Sequence, residues 1–425
     1  MNENSADTVN QTPALYPVQS RWDVIVVGAG VAGLRAAQVA YAAGKSVLII
    51  ETTERIGGRI ATDWVEGFAL DRGFQVVLTA YPELKKALHL EDLQLKSFVS
   101  GAWVFTGNQT FYPLYDPLRH PIKAFGSLFK SLSVPFLTAK DIVQTIRLRW
   151  DIVSKPESAC WNNDGLSTLE YLRQRGFSEP FIAAFWMPFL RGVFLDAELS
   201  TPASLFRFIF RMFALGTAAL PAGGMETLPK TMASTLPSGV FRMNMGVQSA
   251  TATSVLLESG ETLQATSVIG ATPSTSEKTV WRGTTCVYYG VAVSPINEAV
   301  LVLNGTGRGL INTLCVPTWV HPAYRAQGTK EHLVSVSLLG VHPNPRQAIE
   351  SELANWFGNE AVDSWRWLKT DVIPHALPVW CGAHPILPTM KDTPIVCGDG
   401  ASYPSLNGAL FSGASAANQA LSTFY

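Results

Sequence analysis

The 425-residue chain carries 32 Lys and Arg against 33 Asp and Glu, and its net charge of -1 gives no electrostatic basis for binding nucleic acid. Hydrophobic residues make up 47% and charged residues only 15%, below the usual share of about 25%, which points to a large core, an apolar channel or a membrane-facing patch. The five cysteines are scattered and form no CxxC pair, as expected of reduced thiols in a cytoplasmic-type compartment, and the seven histidines show no ligand spacing, so no metal site is expected.

Residues 1–20 are polar, contain Pro13 and Pro17, and have no apolar stretch; they read as a disordered tail rather than a signal peptide. The first element is an apolar strand over 24–27 running into Gly28-Ala29-Gly30-Val31-Ala32-Gly33. Gly28 permits a tight turn, Gly30 lets the backbone approach a pyrophosphate, and Gly33 lets the following helix, over 31–43, pack closely on the strand. That helix ends at Gly44, and a second apolar strand over 47–50 leads to Glu51. A carboxylate there accepts ribose hydroxyls and repels a 2′-phosphate, so the fingerprint is that of a dinucleotide without the phosphate of NADP. The free N–H groups of the helix N-terminus suit the pyrophosphate.

A second glycine motif follows at once, Gly57-Gly58-Arg59, then Phe68 to Gly73. Arg59 presents a planar fork of donors to phosphate or flavin oxygens. This repeat is superfluous for a simple NAD enzyme and suits an extended FAD lying along a groove. From about 80 to 220 helical patterns dominate, over 82–90, 118–132, 138–153, 167–175 and 179–190, with crowded aromatics such as Phe181, Phe185, Trp186, Phe189 and Phe194. The stretch 204–213 is almost wholly apolar apart from Arg207 and Arg211 on one face. It reads as the wall of an apolar tunnel, as a helix in a membrane interface, or as a core helix whose arginines emerge at one edge.

A turn at Gly223-Gly224 enters another helix, and short strands over 240–272 return the chain to the nucleotide-binding unit. Strand patterns over 286–293 and 332–339 belong to a second sheet, with an amphipathic helix over 346–357. Gly305-Thr306-Gly307-Arg308-Gly309 has no helix behind it and reads as a loop, so a second dinucleotide is not expected. The last strand, 394–397, enters a turn with Gly398 and Asp399, placed to accept ribityl hydroxyls, and a helix over 407–421 lined by small residues lets a backbone press against a ligand. The uncharged C-terminal stretch is too rich in Gly, Ser, Asn and Gln to span a membrane.

The glycine turn, Gly58-Arg59, Phe68 to Gly73, and the Gly398-Asp399 strand and helix together resemble the flavin-dependent amine oxidase and phytoene desaturase superfamily. The resemblance implies an α/β fold: a Rossmann-type FAD-binding domain with an inserted α+β substrate domain. Its expected segments are 21–80, 221–280 and 385–425 for the FAD-binding domain, and 81–220 and 281–384 for the substrate domain. It implies FAD as cofactor, with Gly28, Gly30, Gly33, Glu51, Gly58, Arg59 and Asp399 as contacts, and Val247, more loosely, as the residue whose backbone meets the adenine.

Two departures bear on substrate. Amine oxidases usually carry a lysine near flavin N5, and the strand matched to it, 284–290, has none. They also tend to have an acid before the Gly-Ala of the last helix, where this chain has Asn407. The expectation is therefore an FAD-dependent oxidoreductase acting by hydride transfer to N5 on an apolar, isoprenoid- or carotenoid-like molecule, as a desaturase or isomerase. The electron acceptor would be oxygen or a quinone, and the location cytoplasmic, with room for a peripheral membrane contact. The alternatives are an oxidase of amines or of a porphyrinogen, and a non-enzymatic escort of lipids or prenylated proteins; the intact Gly58-Arg59 and Gly398-Asp399 argue against the escort. No catalytic residue is named; His321, Tyr288 and Tyr289 read more readily as structural.

Overall fold

The computed structural model describes residues 21–123, 134–272, 279–382 and 392–424. The tail expected over 1–20 and most of the helix expected over 118–132 lie outside them.

Two seven-stranded sheets organise the chain. In the first, Phe241–Arg242, Val47–Ile50, Trp22–Val27 and Thr262–Gly270 lie side by side and parallel, and Ile395–Val396 adds a further parallel strand beside Thr262–Gly270. Val47–Ile50 is buried along its whole length, which fits a strand covered on both faces. The early residues of Thr262–Gly270 turn outward to pair antiparallel with Ser254–Leu257, which pairs with Val247–Ala250. Segments far apart in sequence thus meet in one sheet.

Helix Val31–Ala42 crosses between the first two strands, and helix Leu406–Leu421 packs against it. The close approach depends on missing side chains. A methyl group at Gly413 would stand 2.1 Å from the Ala32 carbonyl oxygen, and one at Gly33 2.0 Å from that of Gly28. The small residues of the last helix were expected to face a ligand; Gly413 instead serves helix packing, while Leu406 and Ala409 in the first turn border the cavity described below.

The second sheet runs Arg366–Pro378, Trp281–Val291, His332–Leu339, Ile311–Cys315, Leu301–Asn304, Gly101–Phe105, Phe111–Tyr115. It is antiparallel throughout except where Leu301–Asn304 meets Gly101–Phe105. Helix Arg346–Phe357 seals one face, burying Ile349, Leu353 and Trp356 against Phe105, Val302 and Val336. Gly305 to Gly309 is the loop between two of these strands, as expected.

Ala139–Val153, the turn Glu157–Trp161 and Thr168–Gln174 form a layer around helix Ala203–Leu215. Ala139–Val153 and Thr168–Gln174 each begin with a capping box, Thr138 with Asp141 and Ser167 with Glu170. Such caps are worth about 1 kcal/mol each. The helix expected over 82–90 stops at Ala87, because Leu88 takes an extended conformation.

The helix expected over 179–190 is interrupted by a π-turn, Ile182–Trp186. Pro188 is the cause: it has no N–H to return to the preceding turn, so the ladder slips, and the Met187 N–H bonds the Ile182 carbonyl.

Of the three readings open to it, helix Ala203–Leu215 is a core element on one side and, through Phe210 and Phe213, a wall of the cavity on another. Phe206, Phe208 and Ile209 are buried. Arg207 donates to the Cys160 and Asn162 carbonyls and pairs with Asp164. Arg211 donates to the carbonyls of Ile152, Val153 and Lys155 at the end of a neighbouring helix. The arginines tie the helical layer together. No helix among the described residues is long and apolar enough to cross a membrane.

Candidate functional site

A continuous cavity of about 1220 Å³ runs from the edge of the first sheet to the helical layer. One end is built from backbone. Gly28 takes a φ of +106°, open to glycine alone, and its N–H bonds the Ile50 carbonyl at 2.8 Å. The second glycine motif docks on the first: the Gly57 N–H bonds the Ala29 carbonyl at 2.9 Å, and a methyl group on Gly58 would come within 3.3 Å of the Gly30 Cα. Arg55, not singled out by the sequence, holds this loop by donating to the Gly58 carbonyl at 2.6 Å and the Ile60 carbonyl at 3.3 Å.

Glu51 closes the turn. One carboxylate oxygen accepts the Ala29 N–H at 2.8 Å, and the other accepts the N–H and hydroxyl of Thr53 at 3.0 and 2.9 Å. Helix Val31–Ala42 has no side-chain cap and no acid in its first turn, so its leading N–H groups remain available to an anion. Arg59 and Asp399, which lie 340 positions apart, form an ion pair. Arg59 also donates to the Ala376 carbonyl at 2.7 Å and lies 5.4 Å from the Trp281 ring centre.

Gly28, Gly30, Glu51, Gly58, Arg59 and Asp399 all line the cavity. Gly33 and Val247 do not: Gly33 packs the helix on the turn, and Val247 lies in an edge strand. The segment before Val247 does reach the site, since the Met245 N–H bonds the Glu51 carbonyl at 2.9 Å.

The other end is made of side chains. Phe181, Phe185, Trp186 and Phe189 from the π-turn region face Phe210 and Phe213 from helix Ala203–Leu215. Phe181 and Phe185 stack with ring centres 5.2 Å apart, and Phe189 and Phe213 meet at 5.3 Å. The Trp186 indole N–H has no hydrogen-bond partner among the described residues.

No lysine or histidine lines the cavity among the described residues, and each of its carboxylates, Glu51, Asp116 and Asp399, is already engaged. Lys369 is turned away into an ion-pair group with Asp63 and Asp371. Hydrogen bonds from Arg72 and Lys369 hold the Asp63 carboxyl down at about 2.

Between the two ends, Arg72 to Val76 form a wall that one buried group holds in place. Asp71 accepts from the Thr62 hydroxyl at 2.6 Å, the Met225 N–H at 2.7 Å and the Tyr324 hydroxyl at 2.5 Å. Burial outweighs these bonds and raises its carboxyl to about 6. The sequence offered Asp71 only as part of a motif. Tyr288 donates to the Asp71 carbonyl, and His321 is fixed between the Gln94 carbonyl at 2.9 Å and the Ala323 N–H at 3.1 Å. Neither these two nor Tyr289 lines the cavity.

The sequence profile of flavin containing amine oxidoreductases matches residues 31–280, more than half of the chain. The chain belongs to that family. Membership bears out FAD as cofactor and an FAD-dependent oxidoreductase as the class of protein. The chain is 25% identical over 245 residues to putrescine oxidase of Kocuria rosea, an alignment spanning 53% of this chain and 48% of that protein. It is 35% identical over 88 residues to an L-amino-acid oxidase of Crotalus adamanteus, 20% of this chain and 17% of the other. The matched region is thus half or less of the length of these relatives.

Solved structures resemble it over nearly its whole length. An oxidoreductase from Methanosarcina mazei superposes with a TM-score of 0.68 at 17% identity, over 92% of this chain and 99% of that one. A reduced UDP-galactopyranose mutase gives 0.64 at 15% identity, over 94% of each. At such identities the likeness is one of fold, and it bears out the expected α/β architecture.

The residues present fit an FAD. The glycine backbones leave the room, the uncapped helix supplies donors for a pyrophosphate, and Glu51 and Asp399 supply acceptors for hydroxyls.

Proposed function

We propose that this chain oxidises or isomerises an apolar substrate, of isoprenoid or carotenoid type, against a bound FAD. The observation that carries the reading is the chamber of Phe181, Phe185, Trp186, Phe189, Phe210 and Phe213, joined to the dinucleotide groove and walled by aromatic rings rather than by carboxylates that would hold an ammonium group. When bound, FAD supplies the hydride acceptor at its N5. Gly28, Gly30 and Gly58 would admit its pyrophosphate, and Glu51 and Asp399 would take ribose and ribityl hydroxyls. Arg59 would steady Asp399 from one side. The chamber binds and orients the substrate, and its aromatic wall excludes water from the transfer. The electron acceptor on this reading is oxygen or a quinone.

The domain division follows the same logic. The segments 21–80, 221–280 and 385–425 would form the FAD-binding domain, and 81–220 with 281–384 the substrate domain.

A second reading is an oxidase of small amines, favoured by the naming of relatives as putrescine oxidase and L-amino-acid oxidase. Anaerobic mixing of the flavin-loaded protein with carotenoids, a porphyrinogen, putrescine and amino acids separates the two. With a polyene or other apolar substrate, an oxidation is expected to bleach the flavin, and an isomerisation to convert that substrate with no net bleaching. Bleaching by putrescine or an amino acid alone would overturn the first reading in favour of the second.

A further inference from the structure

Three segments are fastened together along one side of the cavity. Arg149, on helix Ala139–Val153, pairs with Asp116 at 2.9 Å and donates to the Ala214 carbonyl at 2.9 Å. Arg119 donates to the same carbonyl at 2.7 Å and to that of Gly216 at 2.6 Å. Both arginines border the cavity, together with Pro117, Leu118, Pro121, Ile142 and Ile146.

Around this knot the surface is apolar. Trp150, next to Arg149, is 74% exposed; Leu118, next to Arg119, is 64% exposed; Ile122 is 88% exposed. Leu215, between Ala214 and Gly216, is also exposed, as are Val143 and Ile146. Exposed large apolar groups scattered singly are ordinary, but these six lie on the segments that the two arginines tie together, and Leu118 and Ile146 also line the cavity.

The helix adds charge of one sign. Lys140, Val143, Arg147 and Trp150 follow at spacings of three, four and three, so they share one exposed stripe. The ion pairs that the helix makes, Arg149–Asp116 and Asp151–Arg175, leave Lys140 and Arg147 out. A tryptophan and aliphatic residues interleaved with cations are the composition of a helix lying in an anionic lipid interface.

We infer that this face docks on an anionic phospholipid bilayer, so that the chamber takes its substrate directly from the acyl layer. A second copy of the chain is the poorer occupant, because a two-fold contact would set Lys140 and Arg147 against their own equivalents. The inference deepens the apolar-substrate reading and rests on it for its purpose. Vesicle binding and flavin reduction are measured separately, so either can fail alone.

The test is co-sedimentation of the full-length holoprotein with vesicles of phosphatidylcholine containing phosphatidylglycerol, and with phosphatidylcholine alone. The wild type should bind the anionic vesicles. A Val143→Glu, Trp150→Glu double variant should lose at least about tenfold in binding, and a Lys140→Gln, Arg147→Gln variant should lose binding to the anionic vesicles alone. Unchanged flavin absorbance and melting temperature show that the variants are folded, since all four side chains are exposed and none lines the cavity. Absence of wild-type binding, or equal binding by the Glu variant, overturns the inference. So does a lipid-free dimer that the Glu variant dissolves.

Discussion

The two ends of the cavity are built on opposite plans. At the dinucleotide end the surface is main chain: Gly28, Gly30 and Gly58 remove side chains so that two turns and a helix N-terminus meet, tied by the Gly28–Ile50 and Gly57–Ala29 hydrogen bonds. At the chamber end the surface is side chain, six aromatic residues from two helices that touch one another and form no hydrogen bonds across the space. A backbone surface tolerates almost no substitution, because carbonyls in a turn cannot move aside. A side-chain surface can repack, and it sets what is accepted rather than whether the protein assembles.

The sharpest break of this contrast is Gly33→Val. With a Cβ 2.0 Å from the Gly28 carbonyl, the helix must leave the turn. A cost of about 3 kcal/mol or more is expected, seen as lost soluble yield and no flavin absorbance. Next, Arg59→Ala removes the charged partner of Asp399 while leaving the turn intact. It should weaken FAD retention roughly thirtyfold, the equivalent of about 2 kcal/mol, measured by titrating flavin into apoprotein. At the other end, Phe185→Ala with Phe213→Ala should cost about 1–2 kcal/mol in urea unfolding, because both side chains face an existing space. Flavin content should not change, whereas the preferred substrate length should. A double variant that loses its flavin would show that the two ends are not independent.

The smallest effect lies in the wall between them. Asp71 has its folded pKa raised to about 6 from an ordinary 3.8, so the native state holds a proton that the unfolded chain has released. Its contribution is present below about pH 4 and is lost as pH rises through 6. Asp63 runs the other way: its folded pKa is depressed to about 2, so its contribution is present above 3.8 and lost as pH falls through 2. Melting temperature should therefore climb from pH 2 to 4 and then level or dip towards 6. In Asp63→Asn the first rise should shrink and the later dip remain.

These differences also decide what could be read in advance. A glycine turn demands particular residues at fixed spacing, so Gly28, Gly30, Glu51 and Gly58 stood out in the sequence, and the structure lines the cavity with them. Asp399 was visible because it ends a strand. Gly33 came with the first glycine motif and Val247, more loosely, with the family resemblance, yet their places are behind the surface and at a sheet edge. The chamber residues were legible as aromatic, and a tunnel wall was one reading of 204–213, but an aromatic helix in a core and one beside a cavity have the same composition, so the sequence left both open. Arg207 and Arg211 misled for a related reason: spacing shows that two cations share a face, but not that the carbonyls of Cys160, Asn162 and Ile152 wait opposite. The convergence of Arg119 and Arg149 on Ala214 left no local signal at all.

The π-turn at Ile182–Trp186 has a consequence for how this wall could ever be altered. An α-helix advances about 100° per residue, so its two halves keep a fixed angular phase. In the wide turn the Met187 N–H returns to the Ile182 carbonyl five positions back, so one extra residue is absorbed while Phe189, Gly192 and Val193 keep their place along the cavity. Loss of one residue from that turn would return the segment to a regular helix with the same side chains facing inward, whereas point substitutions would retune the chamber by increments.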